Sequence, residues 1–189
     1  MSRGASPRNG ILAGIFRIAR GRVDGIACFG SSAQAFLSSL APLLAFPLVA
    51  AVLGLFSEGP RRALTGLAMA VCASLTPAVI SYELARVWKR TDAWLRFATA
   101  FNWCEWILPV LFCVLVVPIS VAISLGLSED TAQRVLFGCL GVYALWLHWF
   151  LARNGLALSR WRAGVLVVLV NLGTAVAVIG PTLLVSEAG

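Results

Sequence analysis

Charge is scarce in this chain. Only 12% of its 189 residues are charged, about half of what a soluble domain carries. The charge present is mostly of one sign, with eight Asp and Glu against fifteen Lys and Arg. Lysine is nearly missing, Lys89 being its single representative, and histidine occurs once, at His148. The five cysteines, at 28, 72, 104, 113 and 139, form no Cys-x-x-Cys pair. This excludes a zinc cluster and a disulfide framework and leaves cysteine the role of a small buried apolar residue. No metal and no cofactor is expected. One histidine and scattered serines supply no nucleophile and base, so the chain is not expected to be an enzyme.

Hydrophobic residues make up 60% of the chain, and the mean hydropathy is +0.90. Lipid, not water, is therefore the solvent for most of it. The net charge of +7 does not indicate nucleic acid. The cations fall between apolar blocks, and the aromatics are not interleaved with them as a base-stacking surface requires.

Apolar periodicity predicts an all-α polytopic membrane protein with five transmembrane helices and two interfacial amphipathic helices. Residues 1–33 read as a basic tail and an interfacial helix, and residues 34–185 as one five-span domain. Each span needs about 20 apolar residues, and the predicted spans are 34–56, 62–83, 99–127, 135–152 and 163–185. Ser57-Glu58-Gly59-Pro60 reads as a tight turn and Ser128-Glu129-Asp130 as an acidic one. Over Ile11 to Phe29, Leu12, Ile15, Phe16, Ala19, Val23 and Ile26 share one side, with Gly10, Gly14, Arg17, Gly21 and Asp24 opposite. That pattern predicts a helix lying among the headgroups. Leu84, Val87, Trp88, Thr91, Trp94 and Leu95 predict a second such helix between spans two and three. Gly66, Ala70 and Ser74 in span two, and Gly173 and Ala177 in span five, are strips of small residues that let another helix approach closely.

The cations set the orientation. A cytoplasmic N-terminus and an outside C-terminus put twelve of the fifteen inside, leaving only Arg61, Arg62 and Arg134 outside, as the positive-inside rule requires. The tryptophans, at Trp88, Trp94, Trp103, Trp106, Trp146, Trp149 and Trp161, then gather at the cytoplasmic boundary. The scarcity of lysine and abundance of alanine and glycine suit a GC-rich bacterial genome, so the expected location is the bacterial cytoplasmic (inner) membrane.

Span three holds the one carboxylate set inside an apolar run, Glu105, and a charge there is expensive in lipid. Asn102, Glu105 and Pro109 share a helical face. Pro109 has no N–H for the Glu105 carbonyl, which predicts a local excess of unmet acceptors, and Pro109 and Pro118 are expected to kink the span. His148 and Asn171 fall at a similar depth. Two readings stand side by side. In one, Glu105 handles a proton or a cation with His148 or Asn171 as partner. In the other it makes one interhelical hydrogen bond, or reaches toward Arg96 or Arg153, and fixes packing.

Tyr82-Glu83-Leu84-Ala85-Arg86-Val87-Trp88 and Ala100-Phe101-Asn102-Trp103-Cys104, set in a five-span layout behind a basic N-terminal segment, resemble the bacterial branch of the Ypt-interacting-protein (Yip) family from about Phe29 to Leu184. The resemblance implies that architecture and a non-catalytic role. The expected function is a scaffold, an accessory subunit of a membrane complex or a membrane organiser. Its expected partners are the lipid bilayer and a membrane protein or a second copy of itself. The alternative is a small proton-linked transporter or channel using Glu105.

Overall fold

A computed structural model describes the backbone of residues 7–57 and 59–186 and the side chains of residues 10–57 and 59–180. Among the described residues there are seven α-helices and no strand: α1 (Pro7–Ala19), α2 (Ala33–Ser57), α3 (Pro60–Val87), α4 (Thr91–Cys104), α5 (Ile107–Ser124), α6 (Glu129–Gly155) and α7 (Arg160–Ser186). Five stretches are long and apolar enough to cross a membrane: α2, α3, the α4–α5 pair, α6 and α7. Residues 1–6 of the basic tail and Glu58 of the expected turn lie outside the described residues.

The helix ends follow from local chemistry. Ser128 caps α6 by accepting from the Thr131 N–H at 3.3 Å, with Glu129 and Asp130 in the first turn, where acids suit the helix dipole. The expected acidic turn is thus a helix cap. Four helices stop in the same way, with a left-handed residue just past the end and a six-to-one hydrogen bond behind it. Those residues are Gly21, Lys89, Gly126 and Ala157, and the closing bonds include Arg90 N–H to Ala85 O at 2.7 Å and Leu158 N–H to Arg153 O at 3.0 Å. Lys89 and Ala157 carry a Cβ in a conformation that favours glycine.

The long helices form an open arc. α2 packs on α3, α3 on α7, α7 on α6 and α6 on α5, whereas α5 and α2 share no extended interface. α4 plugs one end of the arc, touching α1, α2, α3 and α6. The core sits at that end, and it includes Ile18, Phe29, Phe97, Phe101, Leu151 and Leu166. Gly155 lies against α4 there, where an added Cβ would stand 3.0 Å from the Phe97 ring.

Both expected interfacial helices are corrected in form. The N-terminal stretch is not one helix but a hairpin, in which α1 turns at Gly21 into a 3-10 helix over Val23–Cys28. Its closing contact is made by glycines that side-chain polarity had put on the solvent face. A Cβ on Gly14 would lie 2.9 Å from the Cys28 Cβ, and one on Gly25 2.8 Å from the Gly14 carbonyl. Gly14, Ile18 and Ile26 are buried, while Leu12 and Phe16 stay exposed. An amphipathicity count treats glycine as polar, but packing uses it as the place where two backbones can meet. Asp24 clamps the hairpin, with Arg22 at 3.0 Å and Arg17 at 3.3 Å. The hydrogen bond from Arg22, helped by both guanidinium charges, outweighs desolvation and holds the Asp24 carboxyl below the usual carboxylate range.

The second stretch is divided. α3 runs on to Val87, the chain turns at Lys89, and Thr91 begins α4. α4 buries Phe97 through Asn102, and Cys104, so it is a packed element. Its start and end both meet α2 near one place, the Trp94 ring lying tilted 5.2 Å from Phe36 and Asn102 bonding Ser39. Eight residues of α4, about 12 Å of helix, thus pass over a single turn of α2, and α4 crosses it steeply.

Candidate functional site

Glu105 stands at the break between α4 and α5, where the backbone bonds shift register. Its N–H still bonds the Phe101 carbonyl at 3.1 Å, Trp106 N–H reaches back only to Trp103 at 3.4 Å, and Leu108 N–H takes the Glu105 carbonyl at 3.2 Å. The unmet acceptor predicted from Pro109 is therefore met by Leu108. Pro109 is the third residue of α5, where a helix has no use for its N–H. It does not kink a continuous helix, and the excess length of span three is absorbed by the turn at Glu105 and Trp106. Pro118 lies inside α5.

Of the partners open to Glu105, the fold selects His148, whose Nε2 lies 2.8 Å from Glu105 Oε1. Arg153 instead lies over the Trp149 ring at 5.2 Å. The imidazole is 11% exposed and the carboxylate 28%, and the Phe101 ring lies tilted against the imidazole, with ring centres 4.7 Å apart. The other ring nitrogen, Nδ1, has no partner among the described residues. Asn102, on the same face of α4, donates to Ser39 Oγ at 2.9 Å, and Ser39 in turn donates to the Phe36 carbonyl. Asn171 donates to the Val167 carbonyl one turn back at 2.8 Å.

Asn102, Glu105, His148 and Asn171 all line one cavity of about 290 Å³, with Leu43, Ala73, Ser74, Pro77, Phe101, Val170 and Thr174. Its polar wall is rich in acceptors. Ser74 and Thr174 spend their hydroxyl protons on the Ala70 and Val170 carbonyls. Pro47 and Pro77 lack the N–H that would take the Leu43 and Ala73 carbonyls. Glu105 also lines a second hollow of about 250 Å³ between α2 and α5, with Leu43, Phe46, Trp106, Leu108 and Pro109. There the Trp106 ring packs 5.1 Å from Phe46, and its buried indole N–H has no acceptor. A larger cavity, about 790 Å³ between the N-terminal hairpin and α2, is lined by no charged side chain among the described residues.

No family model, curated protein or solved structure matches the chain. The site must therefore be read from its own chemistry. Among the described residues no group of His, Cys, Asp and Glu could hold a metal ion. The five cysteines are free, and only Cys104 is buried, Cys72, Cys113 and Cys139 being exposed. The reading of cysteine as buried filler therefore holds for Cys104 alone.

Gly173 lies against α3, where an added Cβ would collide with the Ile80 Cδ1 atom, and α3 and α7 share the most extensive interface in the molecule. Ala177 is half-buried on α7. Gly66 and Ala70 border a cavity facing α2, and nothing lies within 4 Å of a Cβ built on Gly66. Most tryptophans are engaged internally. Trp94 bonds Ser81, Trp149 bonds the Arg160 carbonyl, Trp88 lies under Arg162, Trp146 stacks on Phe150, and Trp103 packs on the core. Trp161 alone is 87% exposed.

Sequence reasoning missed Ser39, Phe101 and the indole N–H of Trp106. Ser39 had a usable signal, being a polar residue one turn into its span. The Phe101–His148 ring contact had none, because it joins residues 47 positions apart.

Proposed function

We propose that this is a non-catalytic multi-pass protein of the bacterial inner membrane, with its N-terminus in the cytoplasm, that acts by binding as a scaffold, accessory subunit or membrane organiser. The observation carrying this reading is the Glu105–His148 cavity at the packed end of the arc, a formed polar recess in which His148 is engaged by a carboxylate and, among the described residues, by no hydroxyl or thiol. A hydrolase would need its base beside a nucleophile. The charge bias supports the orientation, and the five apolar helices accord with kinship to the bacterial Yip branch. Purification from native membranes in mild detergent is expected to recover a stoichiometric partner, a defined oligomer or retained lipid. A bare monomer would sink the reading.

The exposure of Glu105 to two cavities favours a second reading, a small proton-linked transporter or channel. Wild-type protein in sealed vesicles would then carry a proton flux that Glu105→Gln abolishes. No flux in the wild type eliminates it.

A further inference from the structure

The arc is open on one side only, between α2 and α5, and Glu105 stands at the inner end of that opening. Leu43 and Glu105 line both the polar cavity and the apolar hollow, so the two are neighbouring compartments with different chemistry. We propose that this cleft seats a membrane phospholipid whose headgroup ends in a primary ammonium, the ammonium lying in the Glu105–His148 cavity and an acyl chain lying along α5. The proposal rests on the binding role above.

Charge makes the first argument. Among the described residues His148 is the one ion-pair partner of Glu105. No Arg or Lys is among the described residues lining the cavity, so Glu105 gives its wall the one carboxylate and no fixed guanidinium or ammonium of the protein opposes a bound cation there.

Hydrogen bonding narrows the cation. Ser74 and Thr174 spend their hydroxyl protons on protein carbonyls, and Asn102 and Asn171 each spend one of two amide N–H groups. Their hydroxyl and amide oxygens remain as acceptors, together with the Glu105 carboxylate. A primary ammonium brings N–H donors to those oxygens, whereas a quaternary ammonium brings none. The Phe101 ring in the same wall adds a face that attracts cations.

The apolar hollow carries the opposite signal. Trp106 lines that hollow, and its buried indole N–H has no acceptor among the described residues; a small rotation of the ring would turn it to a phosphate or ester oxygen of the same lipid. Beyond it, Val110, Val114, Val117 and Val121 of α5 are all more than half exposed and offer an apolar track. Depth agrees as well. The 18 residues of α5 span about 27 Å, nearly the whole hydrocarbon core of about 30 Å, which sets Glu105 at its edge, where headgroups begin.

The test is native mass spectrometry of the full chain released from bilayers holding equal amounts of phosphatidylethanolamine and phosphatidylcholine. Wild-type protein should retain phosphatidylethanolamine with a preference of about tenfold, which corresponds to one charge-assisted hydrogen-bond set. Glu105→Gln should bring the preference close to unity. Trp106→Phe should lower retention while keeping the preference, and Leu43→Trp, which fills the junction of the two compartments, should lower phosphatidylethanolamine retention with Glu105 intact. Equal retention of both lipids by the wild type overturns the proposal, as does an unchanged preference in Glu105→Gln. Should that variant fail to fold, unchanged retention by Leu43→Trp overturns it in the same way. Binding of ethanolammonium ion alone to delipidated protein, with no lipid preference, would reassign the site to a free amine and also overturn it. A protein partner recovered alongside equal retention would sink the lipid site and leave the binding role standing. Glu105-dependent proton flux would sink that role, and lipid preference is read separately in the same preparation.

Discussion

α4 and α5 come from one apolar stretch and meet opposite fates on either side of Glu105. α4 has 14 residues and buries seven of them; α5 has 18 and buries only Ile107. Yet α5 is the more apolar of the two. In water the order would be reversed, because the most apolar segment gains most from leaving solvent. In lipid an aliphatic side chain gains little by moving from acyl chains to a protein interior, so packing is left to shape and to polar groups that need partners. α4 carries both, with Ala98 and Ala100 allowing close approach and Thr99 and Asn102 bonded. α5 buries no polar side chain, its Ser120 and Ser124 bonding only carbonyls of their own helix, and its one extended interface is with α6.

The largest effect should come from the two phenylalanines that bracket this contrast. Phe97→Ala, in the α4 core, should destabilise the protein by about 3 kcal/mol, whereas Phe112→Ala on exposed α5 should change stability by less than about 0.5 kcal/mol. Thermal melts of the two variants in one detergent check this, and equal losses would erase the distinction between the helices. A smaller difference is expected within α6. Gly155→Leu should push against Phe97 and lose about 1–3 kcal/mol. Gly138→Leu, where a Cβ would meet nothing within 4 Å, should be neutral or slightly stabilising by the same melt.

Smaller again is the gain from relieving the left-handed helix ends around α4 and after α6. Lys89→Gly and Ala157→Gly should each stabilise by about 1 kcal/mol, seen as a raised melting temperature. A loss at Lys89 would mean that its side chain contributes more than the strain it imposes. The smallest effect concerns the hairpin beside α4. The folded Asp24 carboxyl lies below its unfolded value, so its clamp is fully present above the unfolded range near pH 4 and is lost as pH falls through the depressed value. Hydrogen exchange of the 3-10 segment should therefore be unchanged from neutral pH down to about 5 and quicken only in stronger acid. Asp24→Asn should remove that pH dependence.

The span pattern was legible because hydrophobic length is a local property. α2 and α7 begin and end close to where apolar runs place them, whereas α6 starts at Glu129, inside the expected acidic turn, because Ser128 caps it there. The other boundaries that shifted did so for reasons beyond a window of sequence. α3 continues to Val87 because its last turn carries Leu84 and the buried Ala85 into the core, and the third span divides where Glu105 meets a histidine 43 residues away. Of the candidate site, Asn102, Glu105, His148 and Asn171 could be picked out singly, since polar groups in an apolar run announce themselves. Their neighbours Leu43, Phe101 and Val170 could not, being apolar residues like any others nearby.

By itself the amino-acid sequence determined the solvent, the number of long apolar helices and the scarcity of groups able to do chemistry, because each follows from composition or local periodicity. Only the tertiary structure decided which partner Glu105 takes, that the arc stays open between α2 and α5, and that glycines of the N-terminal segment form a contact. Those depend on where distant backbones meet, and in lipid hydrophobicity does not say which faces they use.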